Sequence, residues 1–241
     1  MSETRVRRTG WYVLVRWAAY GIVVVQGIVA IVRLDREAGI ATIGLIVGLL
    51  VLRWRRIPGV VLLGLQYANA GFWTALATVS NVTHGEGVVH TMIPALIAVL
   101  ALAGLVSAVA ELFIPPAPTA RLRGPRFVAI AAITLLVAAF VGSFVGPSPV
   151  AAESGDLRIT TKNMKFSTKT LQAATGQVSV YAENKDLFWH TFSVPELDVD
   201  LKLSEGAHRR VEFRAQPGRY EFECKIPGHE QAGMKGTLVV R

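Results

Sequence analysis

The chain has 241 residues, 52% of them hydrophobic, with a mean hydropathy of +0.44 and a net charge of +8. So apolar a composition excludes an ordinary soluble domain and points to membrane spans. Nor is the charge a nucleic-acid footprint: every lysine lies after residue 160 among nearly balancing acids, while the arginines gather at the ends of apolar runs.

Five apolar runs divide the first part of the chain, at about 11–32, 39–52, 57–79, 88–114 and 127–145. A helix needs about 20 apolar residues to cross a hydrocarbon core of ~30 Å, and four of the five runs meet that requirement. The second is short, but charge decides its place. Arg5, Arg7 and Arg8 precede the first run, Arg53, Arg55 and Arg56 follow the second, and Arg121, Arg123 and Arg126 follow the fourth. Five crossings put all three clusters on one side. The opposite connections hold only Arg33 and Arg36, offset by Asp35 and Glu37, and no lysine or arginine between Asn81 and Val89. The positive-inside rule then predicts a cytoplasmic amino terminus and an external carboxyl domain. The first run is too long for the apolar core of a cleaved signal, and no small-residue cleavage site follows it, so it is expected to remain as an anchor. Residues 1–146 are thus predicted to form a five-helix transmembrane bundle in the cytoplasmic membrane.

Within that bundle, Gly44 with Gly48 and Gly104 with Ala108 have the small-xxx-small spacing that lets helices approach closely. Arg16 and Glu111 lie near the predicted cytoplasmic ends of their runs. They are expected to snorkel to the interface, a mutual ion pair being the rival. His84 and His90 sit at the external mouth of the third and fourth spans, near Asn81, Glu86 and Met92. They read as interfacial polar residues, with a metal-loading or docking site as the rival. No span carries a histidine deep in the bilayer, which argues against bis-histidine haem, and so few buried charges argue against a pump or channel.

Pro147-Ser148-Pro149 opens a short linker over residues 147–156. Beyond it the periodicity becomes two. Leu157–Thr161, Val178–Ala182, Val211–Arg214, Tyr220–Glu223 and Thr237–Val240 alternate and are separated by turns such as Gln216-Pro217-Gly218. These strands predict an antiparallel β-sandwich over residues 157–241. His208, in a polar stretch with Arg209 and Arg210, reads as surface.

The tail contains the one cysteine of the chain, in Cys224-Lys-Ile-Pro-Gly-His229-Glu-Gln-Ala-Gly-Met234, and a further histidine, His190, in Phe188-Trp189-His190-Thr191-Phe192. One thiolate, two imidazoles and one thioether are the donor set of a mononuclear blue-copper site. Thiolate suits Cu(I), imidazole suits both oxidation states, and a weak axial thioether adjusts the potential. Gly228 and Gly233 let the loop turn tightly, and Pro227 stiffens it.

With Asn184-x-Asp186-x-x-x-His190-Thr-Phe, then Gly218-x-Tyr220-x-Phe222-x-Cys224, then Pro-Gly-His229 and Gly-Met234-x-Gly236, almost the whole tail resembles the cupredoxins, the small blue-copper proteins. The Cys-x4-His-x4-Met loop is most similar to that of auracyanin-type members. The resemblance implies a Greek-key sandwich holding one type 1 copper ion. His190, Cys224 and His229 would be the strong ligands, Met234 the axial one, and Asn184 would steady the ligand loop. It also implies that His229 is the electron port, inside an apolar collar of Pro227, Ala232 and Phe188. It says nothing about the first 146 residues.

A dinuclear copper centre would need a second cysteine. The residues flanking Cys224 are Glu223 and Lys225, not the histidines that wire a type 1 copper to a catalytic one. The expected function is therefore one-electron transfer, without catalysis, by a membrane-anchored copper protein at the outer face of the cytoplasmic membrane. Its partners would be redox proteins at that surface, within a membrane complex or apart from one. The rivals are an external copper-binding, chaperone or sensing protein, and an accessory subunit of a membrane redox enzyme.

Overall fold

The computed structural model describes residues 10–114, 123–144 and 150–241. Arg5, Arg7, Arg8, Arg121 and the Pro147–Pro149 linker lie outside them. Five helices come first: α1 (Gly10–Arg33), α2 (Arg36–Trp54), α3 (Arg56–Thr83), α4 (Val88–Phe113) and α5 (Arg123–Gly142). The first four are long and apolar enough to cross a membrane, and α5 offers a shorter apolar stretch, Arg126–Gly142.

Helix α2 begins three residues earlier than its apolar run. Asp35 is the reason: its Oδ1 accepts the Ala38 N–H at 3.0 Å and caps a polar first turn. Small residues let the helices close up. A Cβ at Gly48 would lie 2.6 Å from Leu63 of α3, and one at Gly104 would lie 2.6 Å from the Tyr67 ring. Tyr67 is fully buried, and its hydroxyl donates to the Val15 carbonyl, so this one side chain joins α1, α3 and α4. Gly124 abuts Trp11 and Gly142 abuts Val82, so α5 runs in the same direction as α1 and α3. Arg16 and Glu111 do not pair with each other. Arg16 donates to Tyr20 one turn away, while Glu111 pairs with Arg56.

The tail forms two sheets. One has the order β2-β1-β4-β7, with β1 (Leu157–Lys162), β2 (Lys165–Phe166), β4 (Gly176–Asn184) and β7 (His208–Ala215). The other has the order β3-β9-β8-β5-β6, with β3 (Thr170–Ala173), β5 (His190–Val194), β6 (Val199–Leu203), β8 (Gly218–Glu223) and β9 (Lys235–Val240). Ile159, Val178 and Val180 of the first sheet share one core with Phe192, Phe222 and Leu238 of the second. The expected purely antiparallel arrangement needs correction: β1 runs parallel to β4, and β3 runs parallel to β9. Between β1 and β4 the chain turns through β2 and crosses to the edge of the other sheet as β3, so it re-enters the first sheet in its original direction.

The β-domain rests on the end of the bundle formed by the α1–α2 and α3–α4 connections. Glu86 pairs with Arg209 and accepts the His208 N–H, while Arg33 pairs with Glu205. The Asn81 amide donates to the Glu205 carbonyl at 2.9 Å and accepts from Ser204 Oγ at 2.8 Å. At Gly206 (φ +67°) a Cβ would fall 2.0 Å from the His90 ring, so only glycine fits. These contacts correct one expectation: His208 is not free surface but is half-buried against Glu86 and Glu183. His90, at the start of α4, faces Glu205 across the same junction. Only His84 stays exposed, bonded to its own helix end.

Candidate metal centre

His190 is the first residue of β5, Cys224 directly follows β8, and Met234 directly precedes β9. The start of β5 and the loop joining β8 to β9 thus bring His190, Cys224 and His229 together. The loop is closed by Cys224 N–H on the Met234 carbonyl at 3.0 Å and Met234 N–H on the His229 carbonyl at 2.9 Å. Gly228 (φ +88°) and Gly233 (φ +92°) take the left-handed backbone that makes those turns.

The structure brings three of the four predicted residues into direct contact. Cys224 Sγ lies 3.5 Å from His229 Nδ1 and 4.0 Å from His190 Nδ1, and the two Nδ1 atoms are 3.2 Å apart. A triangle with these edges has a circumscribed radius of about 2.1 Å, within the roughly 2.0–2.3 Å that nitrogen and sulfur donors keep from a first-row metal. Cys224 and His190 are fully buried, and His229 is partly exposed. Met234 is fully buried in the same core cluster as Cys224.

The ionisation of Cys224 suits a cation. Burial alone would push the Cys224 thiol up, but hydrogen bonds with His190 and His229 and with backbone N–H groups outweigh it and draw it down to about 6. Burial likewise disfavours the His190 imidazolium, yet Asp186 and Cys224 raise it to about 9. Asp186 itself, which burial would raise, is held below the ordinary carboxylate range by its bonds to His190 and the Asn163 N–H.

Around the donors lies a second layer of hydrogen bonds. Asn184 was expected to steady the ligand loop, and its amide donates to the carbonyls of Phe188, Leu203 and Ser204 while its Oδ1 accepts from Thr161 and the Asp186 N–H. Two partners were not foreseen. Asp186 Oδ2 lies 2.7 Å from His190 Nε2, and the Thr191 N–H points at Cys224 Sγ at 3.3 Å. A carboxylate on the far ring nitrogen fixes the tautomer and leaves Nδ1 free for a metal. The only sequence signal for it was an acid four residues before a candidate ligand. Pro227, Gly228 and Ala232 are exposed in the loop that carries His229, while Phe188 is partly buried and packs against the helical bundle.

Residues 129–240 match the family model of the cupredoxin-like domain. Among solved structures, dithionite-reduced auracyanin from the photosynthetic bacterium Roseiflexus castenholzii is 20% identical, with 37% of this chain and 99% of that chain covered and a TM-score of 0.34. Auracyanin B is 24% identical, with 40% and 96% covered and a TM-score of 0.32. A chain of a heme-copper terminal oxidase dimer is 19% identical, with 49% and 100% covered and a TM-score of 0.32. No curated protein matches the chain. The polypeptide therefore carries a cupredoxin-like domain at its carboxyl end, joined to amino-terminal helices apolar enough to span a membrane.

Proposed function

We propose that this protein is a membrane-anchored type 1 copper protein that carries single electrons at the outer face of the cytoplasmic membrane. In this reading all five helices cross the bilayer, with the amino terminus inside. The observation that carries the reading is the donor triangle: one sulfur and two nitrogens, mostly buried, at a common distance of about 2.1 Å from an interior point. His190, Cys224 and His229 would hold the ion, with the buried thioether of Met234 as the fourth, weaker donor. Bound copper would supply a centre that changes charge by one electron.

The chain's own residues supply the rest. The Cys224 thiol, already drawn down, is available as thiolate at neutral pH. Asp186 and Asn184 keep His190 and its loop in place whichever charge the centre holds. Burial of Cys224, His190 and Met234 keeps bulk water away. The partly exposed His229, in a loop where Pro227, Gly228 and Ala232 are also exposed, is where a redox partner would approach. Glu223 and Lys225 offer no second metal beside Cys224, so transfer without catalysis is the favoured activity. The copper-handling rival loses ground, because Glu86 and His90 are engaged in the junction between the two parts of the chain.

The test is a one-electron redox titration of the purified, copper-loaded protein. An intense thiolate-to-copper absorption that bleaches reversibly on reduction, and is missing in Cys224→Ser, supports the reading. A colourless Cu(II) protein, or copper lost at each cycle, would end it.

A further inference from the structure

We infer that Asp35, which caps the second membrane helix, is a positioning residue of the metal centre. The inference deepens the proposed function and rests on His190 being a metal ligand. Asp35 is 2% exposed, and its carboxylate is divided between two tasks. Oδ1 accepts the Ala38 N–H of its own helix, and Oδ2 accepts the Leu187 N–H of the β-domain at 2.8 Å. Leu187 lies three residues before His190 and is 3% exposed, yet it is buried in the core of the helical bundle, not in that of the β-domain. The adjacent Phe188 packs there too.

A second connection leaves the same helix turn. The Arg36 N–H donates to Asn163 Oδ1 at 3.0 Å, and the Asn163 N–H donates to Asp186 Oδ1 at 2.8 Å. Asp186 then holds His190 Nε2. Glu37, one residue further along α2, brings its carboxylate within 4.8 Å of the Asp186 and His190 donor atoms. The strand-entry segment that carries His190 is therefore held from two directions. Asn184 grips it from within the β-domain through the Phe188 carbonyl, and the first turn of α2 grips it from the bundle. A metal's ligand field follows the orientation of its imidazoles, and that orientation is set by what holds the ring and its backbone. In this chain part of that hold comes from a membrane helix, so the bundle is more than an anchor.

Two substitutions at Asp35 in the full-length protein test this. Asp35→Asn and Asp35→Ser both keep a good helix cap, but neither can serve Ala38 and Leu187 with two acceptor oxygens. Two readouts are taken. In the copper-free protein, amide exchange at Leu187 should accelerate by about tenfold or more in both variants, since the N–H loses a charged acceptor. In the copper-loaded protein, copper stays bound, while the Cu(II) hyperfine splitting and the midpoint potential move from their wild-type values. Unchanged exchange at Leu187, or wild-type spectrum and potential in both variants, overturns the inference. If wild-type protein takes up no copper, the functional reading fails alone, and the Leu187 exchange still decides whether Asp35 holds the segment.

Discussion

Replacing Asn184 by alanine removes a side chain that is 1% exposed and makes five hydrogen bonds. Thr161 can rotate its hydroxyl, the Ser204 carbonyl keeps the Ala207 N–H, and the Leu203 carbonyl lies in the β5–β6 ladder. The Asp186 N–H and the Phe188 carbonyl lose the partners that Asn184 gave them. Each buried group left without a partner costs about 1–3 kcal/mol, so the two together cost about 4 kcal/mol. With a urea slope of about 1.5 kcal/mol/M for a domain of this size, the unfolding midpoint of the β-domain should fall by about 2.5 M. Pulse proteolysis of the copper-free protein in detergent, with the β-domain fragments followed, would read this midpoint. A shift below about 0.5 M would refute the reasoning, because the ligand loop would then not depend on that amide.

Four further outcomes follow from other contacts. The copper-free Cys224–His190 pair, at about 6 and about 9, holds one proton between those values, as an unfolded thiol and imidazole also do. The raised His190 contributes stability that fades as pH rises towards about 9, and the lowered Cys224 contributes stability that fades as pH falls towards about 6. The two slopes cancel, so unfolding free energy should stay flat from pH 6.5 to 9. Midway between those values, near pH 7.5, Cu(II) uptake should release the proton of His190 Nδ1, and calorimetry in buffers of different ionisation enthalpy would count it; no release contradicts the pairing. Glu86→Ala strands Arg209, which burial draws down to about 10 but which is still cationic at neutral pH, and should cost about 3–5 kcal/mol at the junction. Faster exchange of the His208 amide, which loses its acceptor, would report it. Met234→Leu should retain copper and colour but raise the reduction potential, because Cu(II) loses its weak axial donor; protein-film voltammetry measures the direction.

Helices α1, α3 and α4 were legible because unbroken apolar runs admit little else, and β1, β4, β7, β8 and β9 because one face of each alternates. β5 was not read as a strand by pattern, since all five of its residues are buried. His190, Phe192 and Val194 face one way, while Ser193 is satisfied on the other by Thr191 and Asp200. Polar residues covered on both faces erase the period of two. At the candidate site the loop from Cys224 to Met234 carried its own spacing, so its donors could be named from local sequence. Asp186 stood in that pattern without a role, because a hydrogen bond to the far side of a ring has no spacing of its own. Asp35 was invisible for a stronger reason. It meets Leu187 across 152 positions, and the charged stretch from Arg33 to Glu37 around it reads as a loop between spans. His208 was misplaced likewise, since it is covered by Glu86, a residue remote in sequence.

Copper K-edge X-ray absorption on the full-length, stoichiometrically loaded protein tests the central claim most directly. The donor triangle predicts one short copper–sulfur bond and two imidazole nitrogens in the first shell, with the sulfur component missing in Cys224→Ser. A first shell of nitrogen and oxygen alone in the wild-type protein would show that the thiol and the two rings, close as they lie, do not grip one ion.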